Sequence, residues 1–126
     1  MSAILIVDDV PVVRLVLARI LKKAGHSVYE AGNGVEALDI VACRPIEVLL
    51  TDLWMPGGDG IALLGQIKSG HPRIARIAMS GGTPLTSLGD SLAAANAAGA
   101  AIFLAKPIEK SELLNAIDRS LAGGGR

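Results

Sequence analysis

The sequence predicts an α/β domain whose five-stranded parallel sheet is doubly wound, with strands and helices alternating as (βα)5. Short apolar runs of strand length recur along the chain, and a segment with helical spacing of its apolar residues follows each run. Hydrophobic residues make up 51% of the 126 residues and aromatic residues only 2%, so the core must be aliphatic, as in buried parallel sheets. Right-handed crossovers are expected to place helices on both faces of this sheet.

The first strand and helix show the pattern. Residues 3–7 (AILIV) form a continuous apolar run, and residues 12–25 carry Val, Leu, Ile and Ala side chains at spacings of three and four. Pro11 suits the first helical turn because its missing N–H would have no intrahelical partner there, and Gly25 suits the helix end. We therefore predict a strand followed by a helix.

The alternation continues through four more units. The predicted elements are, in order, strand 27–31, helix 34–43, strand 46–51, helix 61–70, strand 76–80, helix 84–99, strand 100–105 and helix 110–122. No interior linker separates them, so we predict one domain over residues 1–122. Residues 123–126 (GGGR) are predicted to form a flexible tail.

Composition limits the partners and the compartment. The 12 basic and 12 acidic residues cancel, and the basic residues are scattered, which argues against a direct nucleic-acid partner. The first apolar run is too short for a signal-peptide core or a membrane span, and the single cysteine, Cys43, cannot form an internal disulfide. We expect a cytoplasmic protein without a membrane partner, in which Cys43 is a small buried hydrophobic residue.

Charged and polar residues stand at the ends of four predicted strands. Asp8 and Asp9 follow the first strand, Asp52 follows the third, Ser80 ends the fourth, and Lys106 follows the fifth. The carboxyl ends of parallel strands lie along one edge of a doubly wound sheet, which is where such folds bind ligands. Three carboxylates, a hydroxyl and an ammonium group are therefore expected to converge at that edge.

The acidic cluster favours a divalent metal ion. Neighbouring carboxylates repel one another unless a cation lies between them, and an oxygen cluster without His or Cys suits Mg²⁺ better than Zn²⁺. A phosphate group could then approach Asp52, its oxygens neutralised by Mg²⁺, by the Lys106 ammonium and by the Ser80 hydroxyl. Asp carboxylates are nucleophiles in phosphoryl transfer, so the expected product is an aspartyl phosphate on Asp52.

The sequence resembles the receiver domains of two-component response regulators, which are CheY-like and have a flavodoxin-like fold. The matching segments are the acidic pair at 8–9, TDLWMPGGDG at 51–60, the hydroxyl in MSGG at 79–82, and FLAKP at 103–107. They occur in the family's order and at the expected strand ends. The likeness covers nearly the whole chain, and the four motifs together are highly specific.

The resemblance implies a role for each matching residue. Asp52 would be the phosphoacceptor, Lys106 would pair with the phosphoryl oxygens, and Ser80 would bond one of them and shift on phosphorylation. Phe103 would be an aromatic switch that turns inward as Ser80 moves, although many relatives carry Tyr there and so gain a phenolic hydroxyl. The peptide bond between Lys106 and Pro107 would be cis.

The resemblance also implies a metal site. Asp9, Asp52 and the main-chain carbonyl of Trp54 would bind Mg²⁺, with Asp8 assisting through a water molecule. A family member with these residues would catalyse only its own phosphorylation and dephosphorylation, and would otherwise not be an enzyme.

The function implied by the resemblance is that of a single-domain response regulator. It would take a phosphoryl group from a histidine kinase or a histidine phosphotransfer protein, as a monomer or a phosphorylation-dependent dimer. It would signal to a downstream protein through the face formed by the predicted helix 84–99, strand 100–105 and helix 110–122. The stretch GGTPLTSLGD at 81–90 makes the connection to that face longer than the family leads us to expect.

Other interpretations remain open. A Mg²⁺-dependent phosphohydrolase would share the aspartyl chemistry but would need a second acid two residues after Asp52, where Trp54 stands. A phosphorelay shuttle or phosphate sink, and a phosphorylation-independent scaffold, would keep the same fold. The segment GNGVEA at 32–37 matches the dinucleotide-binding pattern G-x-G-x-x-A, but it follows the second strand and not the first.

Overall fold

A computed structural model describes residues 2–55, 60–81 and 88–123 of the chain. Within them, five strands form one parallel sheet in the order β2-β1-β3-β4-β5. The elements are β1 (Ala3–Val7), α1 (Pro11–Lys23), β2 (Ser27–Ala31), α2 (Gly34–Cys43), β3 (Val48–Asp52), α3 (Gly60–Gly70), β4 (Ala75–Ser80), α4 (Leu88–Ala98), β5 (Ile102–Ala105) and α5 (Lys110–Gly123). The predicted doubly wound α/β fold is confirmed.

The core consists of two apolar layers, one on each face of the sheet. Side chains from α2, α3 and α4 form one layer, and side chains from α1 and α5 form the other. Successive residues of β1 contribute to opposite layers, because side chains alternate across a strand, and Ile4 and Leu5 are both fully buried. Burial on both faces explains why the strands read as continuous apolar runs.

Most predicted boundaries hold to within two residues. Pro11 is the first residue of α1, and Gly25, two residues past its end, has a φ of +96°, which L side chains rarely adopt. The third strand begins at Val48 and not at residue 46, and it ends on Asp52, so this carboxylate closes the strand and does not follow it.

Some predictions fall partly outside the described residues. The start of the helix predicted at 84–99 and part of the connection at 81–90 lie there, as do residues 56–59 of the motif around Asp52. The helix α5 includes Gly123, the first residue of the predicted tail, and residues 124–126 lie outside the description.

Cys43 is exposed, so the prediction that it is buried was wrong. The helix α2 buries Ala37 and Val41, and a residue two positions past Val41 is rotated by about 200° from the buried face. None of the described helices is long and apolar enough to cross a membrane.

One close contact ties α3 to the end of β3. The N–H of Gly60 donates to the carbonyl of Leu53 at 3.0 Å, which brings the Gly60 Cα against the main chain of Asp52. A Cβ atom at this position would overlap the Asp52 carbonyl oxygen and would approach the Leu53 Cα to 3.0 Å. Both neighbours are backbone atoms, so they cannot rotate away as a side chain could.

We predict that Gly60→Ala lowers the free energy of unfolding by about 2 kcal/mol or more, because the added methyl group displaces the β3 backbone. The matched control is Gly65→Ala in the same helix, where an added Cβ meets nothing within 4 Å. That change should raise stability by about 0.5–1 kcal/mol through helix propensity. Urea denaturation of both variants measures the difference, and equal stabilities would contradict the prediction.

Candidate functional site

The predicted convergence of residues from distant strands is present at the carboxyl edge of the sheet. The Lys106 ammonium nitrogen lies 2.8 Å from Asp8 Oδ2 and 3.5 Å from Asp52 Oδ1. Lys106 therefore bridges a carboxylate at the end of β1 and another at the end of β3. The peptide bond between Lys106 and Pro107 is cis, as the resemblance implies.

Asp8, Asp9 and Asp52 form the acidic cluster. One carboxylate oxygen from each lies within 4.8 Å of the other two. Asp8 is fully buried, Asp52 is 7% exposed, and Asp9 is exposed. The cluster thus combines two carboxylates of low solvent access with one that faces water.

The main chain and Arg14 hold Asp8 in place. Asp8 Oδ1 accepts a hydrogen bond from the Val10 N–H at 2.9 Å, while Oδ2 faces Lys106. The Asp8 N–H donates to the Ala31 carbonyl, and Arg14 Nη1 donates to the Asp8 carbonyl at 2.6 Å. A buried carboxylate is tolerated only when its oxygens have such partners, so these contacts fix the Asp8 side chain.

Burial raises the pKa of Asp52 from its usual value of 3.8 to about 6. The Lys106 ammonium acts in the opposite direction, and the nearby Asp8 and Asp9 charges raise the pKa further. The ionised carboxylate is therefore costly here, and a cation close to it would offset that cost.

The cluster has the chemistry of a magnesium site. Its three groups offer only carboxylate oxygens, which hard divalent cations prefer, and the raised pKa of Asp52, caused first by burial, means that its ionised form would gain from a nearby cation. The residues therefore fit Mg²⁺, with Asp8, Asp9 and Asp52 as its candidate ligands or second-layer partners. The metal role of the Trp54 main-chain carbonyl stays a prediction.

Ser80 is 1% exposed and ends β4 beside the end of β5. It pairs with Ala105 in the sheet, and its carbonyl accepts a hydrogen bond from the Lys106 N–H at 2.9 Å. The main chain thus holds the serine and the lysine on adjacent strand ends, as the predicted site requires. Its hydroxyl donates to Ser91 Oγ at 3.4 Å.

Phe103 is half-buried in β5 and packs against the core layer formed by α2, α3 and α4. It pairs with Ala78 in the sheet, two residues before Ser80. Because Ala78 is small, the Phe103 ring lies beside β4, the strand that ends at Ser80. The switch role of Phe103 stays a prediction.

Sequence reasoning missed two residues of this region, Ser91 and Arg14. Ser91 is fully buried in α4 and accepts a hydrogen bond from the Trp54 indole N–H at 2.9 Å. A signal for it existed, because Ser91, Ala95 and Ala98 follow a helical spacing in which the one polar member faces the core. Arg14 gave no such signal, since it looks like an ordinary polar residue of α1.

Comparison with known proteins agrees with this fold. The family model for the response regulator receiver domain matches residues 4–118. The chain is 39% identical over 117 residues to the DNA-binding transcriptional regulator NtrC of Klebsiella pneumoniae, covering 93% of this chain and 24% of that protein. It is 34% identical over 118 residues to sporulation initiation phosphotransferase F of Bacillus subtilis, covering 94% of this chain and 92% of that protein.

Solved structures of receiver domains have the same fold as this chain. A CheY-like response regulator receiver domain protein from Methanospirillum hungatei superposes with a TM-score of 0.87 at 28% identity, covering 98% of this chain and 95% of the other. The receiver domain of NtrX from Brucella abortus superposes with a TM-score of 0.85 at 31% identity, covering 94% and 98%.

The fold and the acidic site define a receiver module. This chain belongs to the response regulator receiver domain family. It spans about a quarter of the length of the NtrC relatives that it matches, and nearly the full length of the sporulation phosphotransferase.

We predict that Asp52→Asn stabilises the protein in the absence of divalent ions. The folded pKa of about 6 lies above the usual 3.8, so folding is favoured while the carboxyl is protonated, and that advantage is lost as pH rises from about 4 to 6. The variant should match the wild type near pH 3.5 and exceed it by roughly 1–3 kcal/mol above pH 6.

Denaturant unfolding at several pH values, with chelator present, measures this difference. The exposed Asp118 in α5, replaced by Asn, is the matched control for loss of one negative charge. If Asp52→Asn is no more stable than the wild type at pH 7.5, the electrostatic description of the site is contradicted.

Proposed function

We propose that this receiver domain accepts a phosphoryl group on Asp52 with Mg²⁺ as its cofactor, and that phosphorylation changes its contacts with other proteins. The observation that carries the proposal is the Lys106 ammonium between two carboxylates of low exposure, 2.8 Å from Asp8 and 3.5 Å from Asp52. A salt bridge placed only for stability would not need two further acids beside it. An ammonium in this position can meet a phosphoryl group on Asp52.

The chemistry follows from the groups present. An oxygen of the Asp52 carboxylate attacks phosphorus, the new O–P bond forms, and the P–N bond to a donor histidine breaks. The histidine nitrogen then takes up a proton. Low exposure leaves the Asp52 carboxylate weakly solvated and so easier to use as a nucleophile. Lys106 supports the transfer by neutralising phosphoryl oxygens, as cations do in phosphoryl transfer generally.

When bound at the acidic cluster, Mg²⁺ supplies positive charge for the phosphoryl oxygens. Asp9 is the exposed member of the cluster, so it can bind and release an ion without unfolding the site. Asp8 is held by Val10 and Lys106 and can orient an ion or its water ligand.

The phosphodonor is proposed to be a histidine kinase or a histidine phosphotransfer protein, docking on an apolar groove beside the site. The groove has a volume of about 450 Å³ and lies between α1 and the segment that follows β5. Its lining residues are Val12, Val13, Val16, Leu17, Lys106, Pro107 and Ile108. Because Lys106 belongs to both the groove and the site, a protein that brings a phosphohistidine to Asp52 must cover this surface.

The exposure of α1 supports the same surface. Val12 is 62% exposed and Val16 is 52% exposed, although both are aliphatic residues on one helix. Contiguous exposed apolar side chains are typical of interaction sites. A downstream protein is proposed to bind the other flank, formed by α4, β5 and α5.

A second candidate function is a phosphorelay shuttle. It is favoured by the similarity to sporulation initiation phosphotransferase F, a protein of nearly the same length as this chain. Both candidates share the chemistry at Asp52 and self-catalysed phosphorylation, and both are proposed to act in the cytoplasm. They differ only in whether the phosphorylated protein signals to a downstream protein or passes its phosphoryl group to another protein.

We predict that acetyl phosphate with Mg²⁺ adds one phosphoryl group to the protein. Intact mass spectrometry should show a single adduct that is absent in Asp52→Ala. In Asp9→Asn the adduct should form about tenfold more slowly, because a metal ligand is lost. Asp118→Asn should behave as the wild type. Sustained phosphate release over many turnovers would favour a hydrolase, and no adduct from acetyl phosphate or any kinase would favour a scaffold.

We predict that Val16→Lys slows phosphoryl transfer from a phosphorylated histidine phosphotransfer protein by about tenfold, because a buried charge replaces an apolar contact. The rate with acetyl phosphate, which needs no docking, should change less than twofold. Val35→Lys is the matched control, because Val35 is 71% exposed on α2, away from the groove. Equal slowing with both donors would place the defect in the site and not in docking.

A further inference from the structure

A chain of hydrogen bonds leaves the site through α4. The Trp54 indole N–H donates to Ser91 Oγ at 2.9 Å, and Ser80 Oγ donates to the same oxygen at 3.4 Å. Ser91 is fully buried, and Ser80 is 1% exposed. Side chains from β4 and from the segment that follows β3 therefore meet at the Ser91 hydroxyl of α4.

The donors and acceptors can be assigned from chemistry. An indole N–H can only donate, so Ser91 Oγ must be the acceptor of the Trp54 bond. A serine hydroxyl has one proton, and Ser91 Oγ, 3.4 Å from Ser80 Oγ, is within reach as an acceptor for the Ser80 proton. A phosphoryl oxygen on Asp52 would require that same proton, so the bond to Ser91 and a bond to the phosphoryl group compete.

The two bonds at Ser91 differ in strength. The Trp54 bond has an ordinary N–H···O length, whereas 3.4 Å is long for an O–H···O bond, which is typically ~2.5–3.0 Å. A charged phosphoryl oxygen is a stronger acceptor than a neutral hydroxyl. On phosphorylation, Ser80 is therefore the partner that leaves, while Trp54 keeps its bond to α4.

Few of the side chains described for α4 are buried. Among residues 89–98, only Ser91 and Ala95 are buried, and each is fully so. Because an alanine side chain buries little apolar area, the polar contacts of Ser91 add to what holds this part of α4 in place.

We propose that Ser91 is a positioning residue for phosphoryl transfer, which holds the Ser80 hydroxyl away from Asp52 until a phosphoryl group accepts a hydrogen bond from that hydroxyl. This inference rests on the proposed function. It adds that the free energy needed to break the Ser80–Ser91 hydrogen bond opposes phosphorylation. Once that bond is broken, α4 is held less tightly near Ser80, while the bond from Trp54 to Ser91 still holds it.

The test measures affinity for beryllofluoride, a non-covalent mimic of the phosphoryl group, in the presence of Mg²⁺. Ser91→Ala should bind it about two to three times more tightly than the wild type, because the competing hydrogen bond, although weak, is gone. The direction is informative, since a variant that merely damaged the fold would bind more weakly. Alanine is also the better helix former, so α4 should persist.

Two further variants make the result specific. Ser120→Ala removes another buried helical serine, in α5, and should leave the affinity at the wild-type value. In a Ser80→Ala background, adding Ser91→Ala should give no gain, because the residue acts through Ser80.

An unchanged or lower affinity in Ser91→Ala, or a gain that persists without the Ser80 hydroxyl, would overturn the inference. If the wild type bound no beryllofluoride and took no phosphoryl group from acetyl phosphate, the proposed function would fail instead.

Discussion

The ion pair between Lys106 and Asp8 is the constraint on which the site depends. It joins the ends of β5 and β1, which are separated in the sheet by β3 and β4, and so it crosses the whole reactive edge. Asp8 is fully buried, and a buried carboxylate without a partner would be strongly unfavourable. The pair therefore fixes the ammonium group above the carboxyl end of β3, where Asp52 lies 3.5 Å away.

The site disfavours the ionised form of one of its members, Asp52. Burial and two like charges oppose ionisation of Asp52, while Lys106, shared with Asp8, compensates only in part. A domain selected for stability alone would avoid this arrangement. The retained charge is explained if Asp52 serves the proposed function, in which a poorly solvated carboxylate attacks phosphorus and becomes a phosphate ester.

The sequence was sufficient for the fold and for the convergence of charges, because both follow from topology. Once five βα units are recognised, Asp8, Asp52 and Lys106 must share an edge, whatever the details of packing. Rotations of helices were not accessible in the same way. The exposure of Cys43 depends on how α2 turns its face, and the bond from Trp54 to Ser91 depends on how α4 lies across β4, so neither follows from strand order.

The position of Trp54 has a practical consequence. It is the only tryptophan of the chain, it follows Asp52 by two residues, and its indole N–H is hydrogen-bonded to Ser91 of α4. Its fluorescence therefore reports on the reactive edge alone, without a background from other indoles. An unlabelled sample carries its own optical probe between the acidic cluster and α4.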